Sequence, residues 1–108
     1  DFDGVLTDNK VVTYNDGKEY VSSSKEDSLG LSIIKSAGNN VYILTSEKNE
    51  VVQKRADKLK IEAFRGVSDK RKMIEKIINE RNLKRDQIIY VGNDLNDMSI
   101  FNSDIFRF

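Results

Sequence analysis

The sequence predicts an α/β domain: a mainly parallel sheet between layers of helix, with a small β-hairpin beside it. Three observations carry this expectation. Val41-Tyr42-Ile43-Leu44 and Ile88-Ile89-Tyr90-Val91 are short unbroken apolar runs, the pattern of strands buried on both faces of a parallel sheet. Amphipathic stretches alternate with them, which implies right-handed crossovers and three layers. Both runs end in polar clusters, Thr45-Ser46 and Gly92-Asn93-Asp94, and in such sheets ligands collect at the carboxyl ends of the strands.

Taken in order, Asp1-Phe2-Asp3-Gly4 is an aspartate-rich turn of the kind that follows a strand, so a strand ahead of Asp1 is expected. The sequence reads as a single unit, 1–108, lacking that first strand and its C-terminal end. Val11 to Tyr14 and Glu19 to Ser23 flank Asn15-Asp16-Gly17, residues that tolerate the positive φ of a tight turn, and predict a hairpin. Ser28 to Ala37, with Leu29, Leu31, Ile33 and Ile34, suits a helix closed by Gly38. After the Val41–Leu44 strand, a helix from about Lys48 to Lys60 carries Val52, Ala56 and Leu59 on one stripe, and Ile61 to Phe64 reads as a further strand. An amphipathic helix from Ser68, its expected cap, to about Arg81 points Met73, Ile74, Ile77 and Ile78 at the core. The Ile88–Val91 strand then closes in Gly92-Asn93-Asp94, before a short helix through Met98, Ile100 and Phe101.

Composition narrows the chemistry. The chain has 108 residues, 38% hydrophobic and 33% charged, enough for one compact domain with a modest core. Its 18 basic residues balance its 18 acidic ones, so no one-signed field recommends nucleic acid or a membrane surface as a partner. With neither cysteine nor histidine, thiol nucleophiles and the commonest zinc ligand and general base are missing. Chemistry here must run on carboxylates, hydroxyls, amides and lysines. The apolar runs are too short to span a bilayer and no leader is seen, so a cytoplasmic protein is expected.

Within Asp1-Phe2-Asp3-Gly4, a turn at Gly4 can bring both carboxylates toward one site and so hold a hard cation. A calcium loop would need glycine at its sixth position and glutamate at its twelfth, where Leu6 and Val12 stand. Alone, the pair would read as an acidic surface turn. Its company changes that: Thr45, Lys70, Asn93, Asp94 and Asp97 fall where a phosphoryl-transfer site needs a hydroxyl, a cation and oxygen ligands. Each has an ordinary alternative, Thr45 as a helix cap, Lys70 as one of a solvated run with Arg71 and Lys72, and residues 93–97 as a polar turn.

The stretches DFDGVLTD, LTS, GVSDK and YVGNDLND resemble motifs one to four of the haloacid dehalogenase superfamily, and they extend over nearly the whole chain. Within it the sequence is most similar to the capless sugar-acid phosphatases, whose core is Rossmann-like, and to the same module in acylneuraminate cytidylyltransferases. The resemblance implies that Asp1 is the nucleophile forming an aspartyl-phosphate and that Asp3 is the acid and base. It implies Thr45 and Lys70 as stabilisers of the phosphoryl group, and Mg2+ held by Asp1, Asp3 and motif four, meaning Asn93 with Asp94 and Asp97 nearby. Most active relatives read Gly-Asp-Asp where this chain has Gly92-Asn93-Asp94, so the site has one negative charge fewer.

Thr45-Ser46-Glu47-Lys48, in place of Thr-Gly-Arg, looks like the branch acting on nine-carbon keto-deoxy sugar acids. It nominates Thr45, Ser46, Glu47 and Lys58, with Asp27 and Ser28, as substrate-binding residues, although Glu47 and Lys58 also read as solvated helix charges. Forty-one residues separate Asp3 from Thr45 and 24 separate Thr45 from Lys70, too few for a cap domain. The expected partners are a small-molecule sugar-acid phosphate and further copies of the chain in a homotetramer, with fusion to a cytidylyltransferase domain as one context.

Overall fold

The computed structural model describes residues 1–106. Strand β1 (Val12–Thr13) pairs antiparallel with β2 (Glu19–Tyr20), Val12 opposite Tyr20 and Thr13 opposite Glu19. The turn is closed by Gly17 at φ +86°, whose N–H donates to the Tyr14 carbonyl at 2.9 Å. The strands are shorter than the sequence predicts, and all four of their residues are exposed, with no layer among the described residues covering them.

Helix α1 (Lys25–Ser36) starts before the expected Ser28, because the Ser24 hydroxyl caps it by accepting from the Glu26 N–H at 3.0 Å. Gly38, at φ +90°, lies just past its end as expected. Strand β3 (Tyr42–Leu44) leads into α2 (Glu50–Leu59), capped by Asn49, and then into β4 (Glu62–Phe64). β3 and β4 run parallel, with Ile43 opposite Ala63, which is one β-α-β unit. Helix α3 (Lys70–Glu80) is capped by Asp69, accepting from the Lys72 N–H, and not by Ser68. Its first residue is therefore Lys70.

The strand expected over Ile88–Val91 does not form. A strand needs a ladder partner. Among the described residues none lies alongside, and the main-chain contact there is the Asp1 amine donating to the Val91 carbonyl at 3.0 Å. Ile89 is 92% exposed. A 3-10 turn, Leu95–Asp97, then runs into α4 (Met98–Phe101).

Two apolar clusters lie on opposite faces of β3 because successive strand residues point opposite ways. Ile43 joins Phe2, Val52, Ala56 and Ile61, whereas Leu44 joins Val67, Ile74, Ile100 and Ile105. Helix, sheet and helix thus form the three layers, and the end of β3 falls between the two cores.

Candidate functional site

Thr45 follows β3 directly and is pinned by its backbone, its N–H donating to Phe64 O at 2.9 Å and its carbonyl accepting from the Val67 N–H at 3.0 Å. Its hydroxyl oxygen accepts from the Glu47 N–H at 3.1 Å, which leaves the O–H free to donate. Lys70 enters from the first turn of α3 and is buried. Its ammonium donates to Asp1 Oδ1 at 3.0 Å and to Asp97 Oδ1 at 2.7 Å. So the solvated-run alternative for Lys70 does not describe this side chain: it is 2% exposed.

Asp97 is fully buried and saturated. The Tyr90 hydroxyl donates to Oδ1 at 2.5 Å, and the N–H groups of Asn93 and Asp94 donate to Oδ2 at 3.0 and 3.1 Å. Burial pushes its pKa up, but Lys70, Tyr90 and the backbone donors outweigh that and hold it below the usual carboxylate range. Burial and the neighbouring Asp97 carboxylate push the Tyr90 phenol well above its ordinary value. Of the residues expected around the metal, Asp97 is therefore the one whose two oxygens are both engaged inside the fold, where they shape the 93–97 loop.

Asp1, Asp3 and Asn93 meet at a second focus. The Asp1–Leu6 turn closes by the Leu6 N–H donating to Phe2 O at 2.8 Å, with Gly4 at φ +80°. A Cβ on Gly4 would lie 1.9 Å from Asn93 Nδ2, so only glycine lets the Asn93 side chain lie across the turn. One end of the Asn93 amide stands 2.8 Å from the Asp3 carbonyl oxygen and 3.0 Å from Asp1 Oδ2. With nitrogen at that end both contacts are hydrogen bonds; with oxygen there, three oxygens converge. Burial, and next the Glu47 carboxylate, raise the pKa of Asp3. Among the described residues no three acidic side chains cluster tightly enough to cage a cation by themselves, so the converging oxygens are of mixed kind.

Above these groups opens a cleft of about 280 Å³, lined by Asp1, Asp3, Thr45, Ser46, Glu47 and Asp94, together with Asn96 and the hairpin residues Lys10, Val11, Glu19 and Val21. Two expected substrate residues are elsewhere: Ser28 and Lys58 line a separate groove between α1 and α2, with Lys35 and Arg55. Asp27, in the first turn of α1, does not line the cleft either. Sequence reasoning missed Asn96, which donates to Ser46 Oγ at 3.2 Å and ties two loops together, and Tyr90. Both lie inside the quoted YVGNDLND, where Tyr90 also belongs to an apolar run that hides its hydroxyl.

No protein-family model matches the chain. Over 101 residues, 93% of its length, it is 27% identical to the 3-deoxy-D-manno-octulosonate 8-phosphate phosphatase of Yersinia pestis, of which it covers 54%. It is 29% identical over 97 residues to N-acylneuraminate cytidylyltransferase A of Danio rerio, covering 88% of this chain and 23% of that protein. A Streptomyces avermitilis protein described as a HAD family hydrolase matches in structure with a TM-score of 0.89 at 38% identity, over 93% of this chain and 57% of that one. The 3-deoxy-D-manno-octulosonate 8-phosphate phosphatase of Moraxella catarrhalis, solved with a magnesium ion, a phosphate ion and a KDO molecule, matches with a TM-score of 0.85 at 27% identity, over 91% of this chain and 57% of that one. The chain thus spans about half the length of these phosphatases and about a quarter of the cytidylyltransferase. In fold, and in sequence along about nine-tenths of its length, it is similar to haloacid dehalogenase (HAD) family hydrolases and to 3-deoxy-D-manno-octulosonate 8-phosphate phosphatases.

Proposed function

We propose that this chain carries the core of a divalent-cation-dependent phosphomonoester hydrolase, acting on the phosphate ester of an eight- or nine-carbon keto-deoxy sugar acid. The observation that carries the reading is the meeting of Asp1, Asp3, Thr45, Lys70 and Asn93, from four separate stretches of sequence, around one cleft.

The residues fit a small hard cation. Magnesium takes oxygens octahedrally at about 2.0–2.1 Å, which sets adjacent ligand oxygens roughly 2.8–3.0 Å apart. The Asn93 amide end lies 2.8 Å from the Asp3 carbonyl and 3.0 Å from Asp1 Oδ2, so its oxygen, turned there, would complete two edges of such a polyhedron. Bound magnesium would screen the charge of Asp1 from that of the phosphate and polarise the phosphoryl oxygens. Asp94, on the rim of the cleft, would act through water.

On this reading an Asp1 carboxylate oxygen forms a bond to phosphorus as the bond from phosphorus to the sugar oxygen breaks. Asp3, whose raised pKa keeps a proton more available, delivers it to the leaving oxygen. The Asp3 carboxylate then takes a proton from water, whose oxygen attacks phosphorus and breaks the bond to Asp1, releasing inorganic phosphate. The free Thr45 O–H donates to a phosphoryl oxygen, and Lys70 offsets charge on the others. Asn93 lowers cation affinity by removing one negative charge. The same reading takes residues 1–108 as one capless catalytic unit of a longer cytoplasmic chain assembled as a homotetramer. Among the described residues no helix is long and apolar enough to cross a membrane.

The test is phosphate release from eight- and nine-carbon keto-deoxy sugar-acid phosphates with magnesium or EDTA. Turnover should vanish with EDTA, and Asp1→Asn should lower it by at least about a thousandfold. Turnover that survives in Asp1→Asn sinks the reading. The cytidylyltransferase match and Asn93 together favour a second reading, an assembly module that has lost turnover. It predicts no release by the wild type and recovery in Asn93→Asp.

A further inference from the structure

The cleft is lined by five carboxylates, Asp1, Asp3, Glu19, Glu47 and Asp94, and by one cationic side chain, Lys10. Lys70 lies beneath, already shared between Asp1 and Asp97. Among the described residues the Lys10 ammonium makes no ion pair. The main chain that carries it is held in place. The Thr7 hydroxyl oxygen accepts from the Gly4 N–H and from the Asn9 N–H, both at 3.2 Å, and so fastens the loop carrying Lys10 to the Asp1–Gly4 turn. Asn9 is held at φ 61°, which turns the chain over the cleft, and the Lys10 N–H donates to Asp8 Oδ1 at 3.2 Å. Beside Lys10, the side chains of Val11, Val21 and Val51 give the cleft an apolar wall.

We infer that Lys10 and this valine wall form the subsite for the carboxylate end of the substrate, opposite the Asp1 end that takes the phosphate. This rests on the phosphatase reading and deepens it. A 3-deoxy-2-keto acid presents a carboxylate two carbons from a methylene, a charge and an apolar patch side by side. A cation next to a valine wall is complementary to that pair. In a cleft with five carboxylates, a second anionic end would otherwise be repelled. A phosphorylated neutral sugar would have no use for Lys10.

The experiment uses the full chain and Lys10→Met, which keeps the apolar stem and removes the charge. Phosphate release is measured from a keto-deoxy sugar-acid phosphate and from p-nitrophenyl phosphate, and binding of the free keto-deoxy sugar acid is measured by calorimetry. The ratio of kcat/KM for the acid to that for p-nitrophenyl phosphate, which has no carboxylate, should fall roughly tenfold, the low end for losing one charge-assisted hydrogen bond. An unchanged ratio overturns the inference. Were the wild type to hydrolyse neither ester, the phosphatase reading would fail by itself, and calorimetry would still decide: weaker binding by Lys10→Met supports the subsite, and equal or absent binding overturns it.

Discussion

Lys70 is held between two carboxylates, and its partner Asp97 has no solvent to fall back on. Removing one member of a buried, hydrogen-bonded ion pair costs about 3–5 kcal/mol, because the other stays charged in a poorly polarisable place. Lys70→Met should therefore lower the unfolding free energy by about that amount in denaturant titration, in addition to slowing phosphate release. The lowered pKa of Asp97 sets the pH window: its contribution is fully present above the ordinary aspartate range and is lost as pH falls through the lower folded-state value. Asp3 has the opposite sign. Its raised pKa means that ionisation on the rise from acid to neutral pH costs stability, so Asp3→Asn should raise the melting temperature at pH 7 more than at pH 3. Asn93→Asp would place a third carboxylic or carbonyl oxygen against Asp1 and Asp3 with no N–H to offer. Calorimetry should find this variant less stable than wild type in EDTA and more strongly stabilised by magnesium; equal magnesium responses would remove the proposed cation site.

At the scale of elements, the site depends on two turns. Gly4→Ala should dislodge Asn93 and destabilise the chain, since φ +80° and a Cβ 1.9 Å from the Asn93 amide are both unfavourable. Circular dichroism melts compared with those of Gly17→Ala, whose Cβ meets nothing, separate the backbone cost from the clash. Helix faces and turns were legible: Asn15-Asp16-Gly17, Gly38 and the Ile74/Ile77 stripe stand where local spacing puts them, because each is decided within a few residues. The Ile88–Val91 strand was not, since an apolar run states what a segment can do and a ladder partner decides whether it does. Hydrogen exchange should accordingly find the amides of Ile89 and Val91 fast and those of Ile43 and Leu44 slow. At the site, Asp1, Asp3, Thr45 and Lys70 could be nominated from motif spacing, but which carboxylate faces the cleft and which is consumed inside, as Asp97 is, depends on contacts across the chain.

As a whole the molecule is extended, 46 × 30 × 23 Å with a radius of gyration of 14.5 Å, against about 13 Å expected for a compact chain of this size. Apolar side chains are exposed on the hairpin, at Val12, Tyr14 and Tyr20, and on α1, at Leu29 and Ile33. The proposed tetramer would bury these. Light scattering should give four times the chain mass, falling in Tyr14→Asp and Tyr20→Asp; an unaltered mass would place the interface elsewhere. The hydrogen bond from the Asp94 N–H to Asp97 Oδ2, at 3.1 Å, bears on the molecule's lifetime. Deamidation of an asparagine begins when the next residue's backbone nitrogen attacks the side-chain amide and closes a succinimide ring. For Asn93 that nitrogen belongs to Asp94, and its N–H is held in a hydrogen bond to a buried carboxylate, which turns the nitrogen away from the amide carbon it would have to attack. The contact that shapes the loop thus also slows the ageing that would turn Asn93 into aspartate, and Asp97→Ala protein should gain the one-dalton mark of deamidation sooner.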